Sequence, residues 1–300
     1  MKQPQRTAVA LGSFDGLHKG HLAVIACALA CRERGLIPVV LLFDRHPLQV
    51  LTGQAPPALL QTELRDEMLR ALGAQTRVIP FAQIKDLSCE AFVRDVLCGQ
   101  LQAGAVCCGE NYRFGRGNAG DTAALQALCE ANGATLSVAA SVLQDGQPVS
   151  STRIRDAIRA GDLPAANAML GRAFNYRLEV VHGSKRGRLM GAPTINQHFP
   201  ADFVIPRRGV YASTAIAGGV EYPAVTNIGL RPSFESDDLR SETNLLGFDG
   251  DLYGQEIEVR LFAYLREETK FASMAALGAQ IRADAARSLE VFEKRGTDHV

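Results

Sequence analysis

The 300-residue sequence predicts an N-terminal α/β domain with a parallel sheet, followed by a small antiparallel β-barrel with a terminal helix. Three observations carry this. The length exceeds a comfortable single hydrophobic core. Short β-rich runs alternate with helical patterns through the first half, whereas from Tyr176 onward strands follow one another without intervening helices. All seven cysteines lie at or before Cys129, so composition shifts along with periodicity.

In the first half, strands are expected over residues 7–12, 38–43, 77–81, 103–108 and 135–142, and helices over 18–34, 62–72, 88–99 and 121–132. Ligands of such a sheet bind beyond the carboxyl ends of its strands, where turns open the following helices. A short helix over 151–160 comes next, then one with Asp162 as N-cap and Pro164 in its first turn. Its end at Leu170-Gly171 sets the expected boundary, giving domains 1–172 and 173–300. The second domain is expected to hold strands over 176–182, 209–216, 222–228, 241–248 and 257–265. An amphipathic helix over 273–292 closes it, with Leu277, Ile281 and Leu289 on one side.

Lys plus Arg and Asp plus Glu both total 32, so no net field draws nucleic acid or an anionic membrane, and phosphate binding must be local. The first six residues lack an apolar signal core, and the apolar run over 36–43 is too short to span a bilayer. A cytoplasmic protein with small-molecule partners is expected, and a homo-oligomer is compatible with the sequence. The odd cysteine count, without a C-x-x-C pair, reads as reduced, packed thiols.

Directly after the first expected strand stands Gly12-Ser13-Phe14-Asp15-Gly16-Leu17-His18-Lys19-Gly20-His21. The glycines let the backbone approach a ligand. The helix N-terminus adds unpaired N–H groups and a positive dipole end, and His18 and His21, three apart, share one face of its first turn. This is an anion cradle suited to holding the α-phosphate of ATP in line and stabilising its developing charge. A tight turn with surface histidines is the plainer alternative, and a zinc site of His18, His21 and Asp15 a weaker one.

The stretch resembles the G-x-F-D-G-x-H-x-G-H motif of the nucleotidyltransferase superfamily, which implies a Rossmann-like fold and nucleotide contacts from Gly12, Phe14, Asp15 and Gly20. Cys108-Gly109-Glu110-Asn111-Tyr112-Arg113-Phe114-Gly115 is similar to the G-x-N-F-x-F-G segment of bacterial FAD synthetases, with Tyr112 in place of Phe. Val149-Ser150-Ser151-Thr152-Arg153-Ile154-Arg155 is similar to their I-S-S-T-x-I-R segment. Phe43-Asp44-Arg45-His46-Pro47 resembles their F-x-P-H-P turn, with Arg45 replacing a proline. Ser151, Thr152 and Arg155 open a helix and can offer hydroxyls, amides and a guanidinium to a triphosphate, while Ser151 can equally serve as a cap. Asn111 reads as a flavin contact or as a turn former. Tyr112 and Phe114 read as walls for a planar ring or as core.

Further on, His182-Gly183-Ser184-Lys185-Arg186-Gly187-Arg188 leads through Pro193 to Thr194-Ile195-Asn196. Lys185 and Gly187 suit a loop folded over phosphates, and Thr194 and Asn196 are hard oxygen donors for Mg²⁺. Alone, such a loop is more often a solvated hairpin. The second half resembles riboflavin kinase, whose signature runs G-x-x-x-G-R-x-x-G-x-P-T-A-N, with Ala192 and Ile195 as departures. The resemblance implies that Thr194 and Asn196 hold Mg-ATP and that Glu242, within Ser241-Glu242-Thr243-Asn244, is the catalytic base. Thr243 and Asn244 are further departures.

Taken together, the sequence is similar to the bifunctional bacterial riboflavin kinase and FAD synthetase family over nearly its whole length. The resemblance implies phosphorylation of riboflavin to FMN by ATP, then adenylylation of FMN to FAD with release of pyrophosphate, both with Mg²⁺. The alternative is an FMN adenylyltransferase whose barrel binds riboflavin without phosphorylating it.

Overall fold

The computed structural model describes residues 5–182, 194–232 and 237–297. They form two compact units, one of Met1–Ala58 with Thr62–Ser151 and the other of Leu59–Gln61 with Thr152–Val300.

The first unit is built on five parallel strands: β1 (Thr7–Ala10), β2 (Ile37–Phe43), β3 (Gln75–Ile79), β4 (Ala103–Gly109) and β5 (Thr135–Ala139). Their order is β3-β2-β1-β4-β5, so the strand order reverses at β1. Both β2 and β4 are buried along most of their length and read as continuous apolar runs, as strands covered on both faces must. Helix α1 (Lys19–Ala30) buries Val24, Ile25 and Ala28 and is followed by a 3-10 turn over Cys31–Arg34. The short α2 (Pro47–Thr52), opened by Pro47 and ended by Gly53 at φ 77° but not among the expected elements, follows β2, and α3 (Thr62–Ala71) leads to β3. The helix expected over 88–99 is one α-turn, Cys89–Ala91, continued as a π-helix, Phe92–Gln100, with Phe92, Val93, Val96 and Leu97 in the core. Asp121 caps the helix Thr122–Ala131 by accepting from Ala124 N. Beyond β5 lies a small hairpin of β6 (Leu143–Gln144) and β7 (Gln147–Pro148). All seven cysteines are free thiols, and burial raises the Cys107 and Cys108 thiols, Cys108 to about 11.

From Thr152 the chain belongs to the second unit, and the boundary falls one residue into the first of two short helices, Ser151–Ala160 and Leu163–Leu170, the latter capped by Asp162 and ended by Gly171 at φ 76°. Six antiparallel strands follow: β8 (Phe174–Glu179), β9 (Thr194–His198), β10 (Gly209–Ala217), β11 (Val220–Pro232), β12 (Asp237–Leu245) and β13 (Glu256–Arg266). The order β8-β13-β10-β11-β12-β9 curls until its two edges meet. Val181 bridges to Asn196, and Gln197 Nε2 donates to Leu178 O at 2.7 Å and Ile257 O at 2.8 Å. The expected barrel is therefore present as a curled sheet, and Thr194 and Asn196 sit on its strand β9.

Hydroxyls line part of the interior. Tyr176 Oη lies 2.6 Å from Ser241 Oγ, Ser241 Oγ lies 3.4 Å from Thr243 Oγ1, and Thr226 Oγ1 is 2.8 Å from both Thr243 Oγ1 and Ser213 Oγ. Each buried hydroxyl thus finds a partner without leaving the core. The terminal helix, Met274–Thr297, starts after Ser273, whose Oγ accepts from Ala276 N, and packs on β10 and β11. Its inward face carries Asp284 and Ser288, while Leu289, expected on the packing face, is 39% exposed. Two polar groups hold the helix down. Asp284 takes three bonds from the Arg266 guanidinium, the shortest 2.7 Å, and Ser288 Oγ donates to Ala224 O at 2.6 Å.

Candidate functional site

The first site stands at the carboxyl ends of β1 and β4, where the strand order reverses. The chain leaves β1 through Gly12 and turns with Phe14 at φ 50°, Gly16 at φ 86° and Leu17 at φ 42°. Left-handed backbone at two non-glycine residues costs about 1–3 kcal/mol each. Both side chains are fully buried, and burial of about 1.5–3 kcal/mol apiece offsets the strain. The hydrophobic core thereby fixes the shape of the loop.

His18 ends the loop as the N-cap of α1, its Nδ1 accepting from His21 N at 3.2 Å. The two imidazoles stack, centroids 3.6 Å apart and planes 16° apart, with Phe14 5.3 Å from the His21 ring. Gly20 fits closely beneath them, since a Cβ there would lie 3.1 Å from His18 Cε1. A Cβ at Gly12 would lie 3.2 Å from the Phe14 ring. His21 has its pKa held well below the usual imidazole value, first by burial and second by the neighbouring His18. Its Nδ1 is buried without a hydrogen-bond partner. The result is a stacked pair carrying an uncommitted ring nitrogen at a helix N-terminus, a setting that stabilises negative charge.

Two further segments reach this end of the unit. Ser151 Oγ donates to Asp15 O at 3.0 Å, a bond within the first unit. Asn111 is exposed in the turn after β4, beside Glu110, whose carboxylate accepts from Ser141 N and Oγ at 3.1 and 2.7 Å. Tyr112 and Phe114 belong to the core: their rings stack at 6.1 Å, and Phe114 meets Phe92 at 5.9 Å. Thr152 and the buried Arg155 fall in the second unit.

The second site lies on β9, β12 and β11. Register pairs Asn196 with Glu242 and Glu242 with Asn227, so these three residues form one row across neighbouring strands on a single face. Thr194 pairs with Asn244 in the next row on that face. Ile195 and Thr243 pair with each other on the opposite, inward face, where Thr243 joins the hydroxyl chain. Two of the departures noted in the sequence thus point away from the row. Asn244 lies on the same face as the row, and Ala192, Lys185 and Gly187 lie outside the described residues. Asn196 Oδ1 and Asn227 Oδ1 are buried without hydrogen-bond partners. An uncommitted amide oxygen beside a threonine and a carboxylate is a donor set that fits a hard divalent cation.

Two family models divide the chain: FAD synthetase matches residues 1–153 and riboflavin kinase residues 170–292. The chain is 36% identical to the bifunctional riboflavin kinase/FMN adenylyltransferase of Pseudomonas fluorescens, over 93% of this chain and 91% of the relative. The chain belongs to this bifunctional family. The Escherichia coli (strain K12) enzyme of the same description is 34% identical over 96% of this chain and 94% of its own, and that of Bacillus subtilis (strain 168) 31% over 97% and 94%. A crystal structure described as a macrolide-efflux protein from Streptococcus pneumoniae superimposes with a TM-score of 0.87 at 29% identity, covering 96% and 95% of the two chains. Among the described residues of this family member, no helix is long and apolar enough to cross a membrane, and no three His, Cys, Asp or Glu side chains gather as a metal site.

The sequence gives candidate roles to His18, His21, Asn196 and Glu242 and none to Asn227. That residue stands within the Asn227-Ile228-Gly229 segment, and only the pairing of β11 with β12 brings it beside Glu242.

Proposed function

We propose that residues 1–172 transfer the adenylyl group of ATP to FMN and that residues 173–300 phosphorylate riboflavin, using the residues of the two sites. In the first reaction a phosphate oxygen of FMN attacks the α-phosphorus of ATP, a P–O–P bond forms, and pyrophosphate leaves. His18 and His21 stabilise the charge that builds on the α-phosphoryl oxygens. The depressed pKa of His21 makes it a neutral N–H donor in the free enzyme, so its contribution is a positioned hydrogen bond rather than a second full charge. Gly12, Phe14, Asp15 and Gly20 form the wall along which the nucleotide lies. Ser151 binds the triphosphate, and Asn111 contacts the flavin substrate.

In the second reaction the terminal ribityl hydroxyl of riboflavin attacks the γ-phosphorus of ATP, its proton passes to the Glu242 carboxylate, and ADP leaves. Thr194 and Asn196 would hold Mg²⁺ with the nucleotide, and contact of Lys185 and Gly187 with the phosphates rests on the resemblance alone. The cation neutralises charge between the phosphoryl groups when bound.

The observation that carries the kinase reading is the register: Asn196 and Glu242 face the same side, while Ile195 and Thr243 pair on the other. Those two departures therefore weigh against core packing rather than against ligand binding. Free thiols throughout and a balanced charge support a reducing, cytoplasmic setting and small molecules as partners.

A chromatographic time course with ATP and Mg²⁺, started in parallel from riboflavin and from FMN, tests the reading. Riboflavin is expected to give FMN and then FAD. Conversion of FMN alone would overturn the kinase assignment.

A further inference from the structure

Beyond Asn196 and Glu242, the row on the second unit contains a third side chain, Asn227, directly opposite Glu242 on β11. Directly opposed residues hold their Cβ atoms about 4.5–5.5 Å apart, so a group bound at Glu242 is within reach of the Asn227 amide.

The orientation of that amide is fixed. Asn227 Nδ2 donates to Glu268 Oε1 at 3.1 Å. The reversed amide would set Oδ1 against a carboxylate oxygen, two acceptors with no proton between them. Glu268 stands on the segment just after β13, and its carboxylate lies over Gly229, where a Cβ would overlap Oε1, Oε2 and Cδ. Gly229 therefore leaves room for the carboxylate that aligns Asn227. With Nδ2 committed, Oδ1 remains buried and without a partner. A buried carbonyl oxygen in this state is costly, about 1–3 kcal/mol, unless a ligand supplies a donor.

The reaction of this unit brings such a donor. The ribityl chain carries its reacting hydroxyl at the end and another hydroxyl on the neighbouring carbon. Resting on the assignment of Glu242 as base, we propose that Asn227 accepts a hydrogen bond from that neighbouring hydroxyl. Glu268 is the positioning residue that turns Oδ1 toward it. Asn227 then sets the preference of the kinase for a polyol chain over a chain ending in a lone hydroxyl. It also fixes the rotation of the chain so that the terminal hydroxyl points at Glu242.

The test uses the full chain, riboflavin, and a riboflavin analogue lacking only the ribityl hydroxyl next to the terminal one. The wild type is expected to prefer riboflavin by roughly 10- to 100-fold in kcat/KM, the range for a lost neutral hydrogen bond plus an oxygen left dry. In Asn227→Ala the riboflavin rate falls by a similar factor and the preference collapses toward unity. A preference that survives Asn227→Ala overturns the proposal. So does a loss equal for both substrates and restored by added Mg²⁺, since the oxygen would then serve the cation. Should Asn227→Ala fail to fold, Glu268→Ala, altered at an exposed side chain, is expected to shrink the preference in part, and an unchanged preference overturns the proposal. Glu242→Gln in the same assay separates the two assignments. It is expected to abolish turnover of both substrates, and full turnover in that variant would remove the base assignment whatever Asn227 does.

Discussion

Replacing Gly20 by Ala perturbs the first site with a single methyl group. The new Cβ would stand 3.1 Å from His18 Cε1 and 3.2 Å from Nδ1, so the ring must move by a few tenths of an ångström. That ring caps α1 through His21 N and stacks on the His21 imidazole, so both histidines shift together. For stability the effects oppose one another: weakening an N-cap costs about 1 kcal/mol, while Gly to Ala in a helix gains up to about 1 kcal/mol. The melting temperature should hardly change. For catalysis they do not cancel, because a misplacement of about 1 Å costs on the order of 10²-fold. A shift of a few tenths of an ångström should therefore slow FAD formation by roughly tenfold. Conversion of riboflavin to FMN, carried out in the other unit, is the internal control. The assay is the time course from each substrate, beside a thermal melt. Wild-type FAD formation in a folded Gly20→Ala protein would refute the claim that the stacked pair positions the reacting phosphate.

Two other outcomes follow from buried polar groups. The pKa of His21 is depressed in the folded state, so the unfolded chain takes up a proton at higher pH than the native one. Its contribution to stability is complete above the unfolded imidazole value near 6.5 and is lost as pH falls from there toward the folded value, with a slope of at most about 1.4 kcal/mol per pH unit. His21→Gln should flatten the urea-determined stability profile below about pH 6.5, and an unchanged slope would contradict the burial argument. Asp284 is 3% exposed and takes the Arg266 guanidinium in a bidentate grip, so Asp284→Ala strands a partly buried cation. The expected cost is about 3 kcal/mol, or a fall of roughly 6–12 °C in the unfolding of the second unit. A shift below about 2 °C would mean that the pair adds little.

Local chemistry was legible where a short segment must make its own shape. The glycine loop with His18 and His21 is such a segment, since the turn, the cap and the stack all arise within ten residues. The parallel sheet was legible because short β-rich runs alternate with helical patterns through the first half, each written in its own local periodicity. Pairing across the second sheet was not. Alternation along β12 puts Glu242 and Asn244 on one face and Thr243 on the other, but no pattern within β11 fixes which of its residues stands opposite Glu242. Asn227 was therefore invisible as a site residue until the register was known. The terminal helix shows the same limit. Its apolar residues suggested a face through Leu289, whereas the ion pair of Asp284 and the Ser288 hydroxyl, both answering groups distant in sequence, turn a polar stripe inward.

The most direct test of two separate sites is a crossed pair of variants, His21→Ala and Glu242→Ala, each given ATP and Mg²⁺ and followed from riboflavin and from FMN. His21→Ala should accumulate FMN from riboflavin and make no FAD, whereas Glu242→Ala should leave riboflavin untouched and still convert supplied FMN to FAD. Loss of both reactions in either folded variant would contradict the assignment of one reaction to each unit.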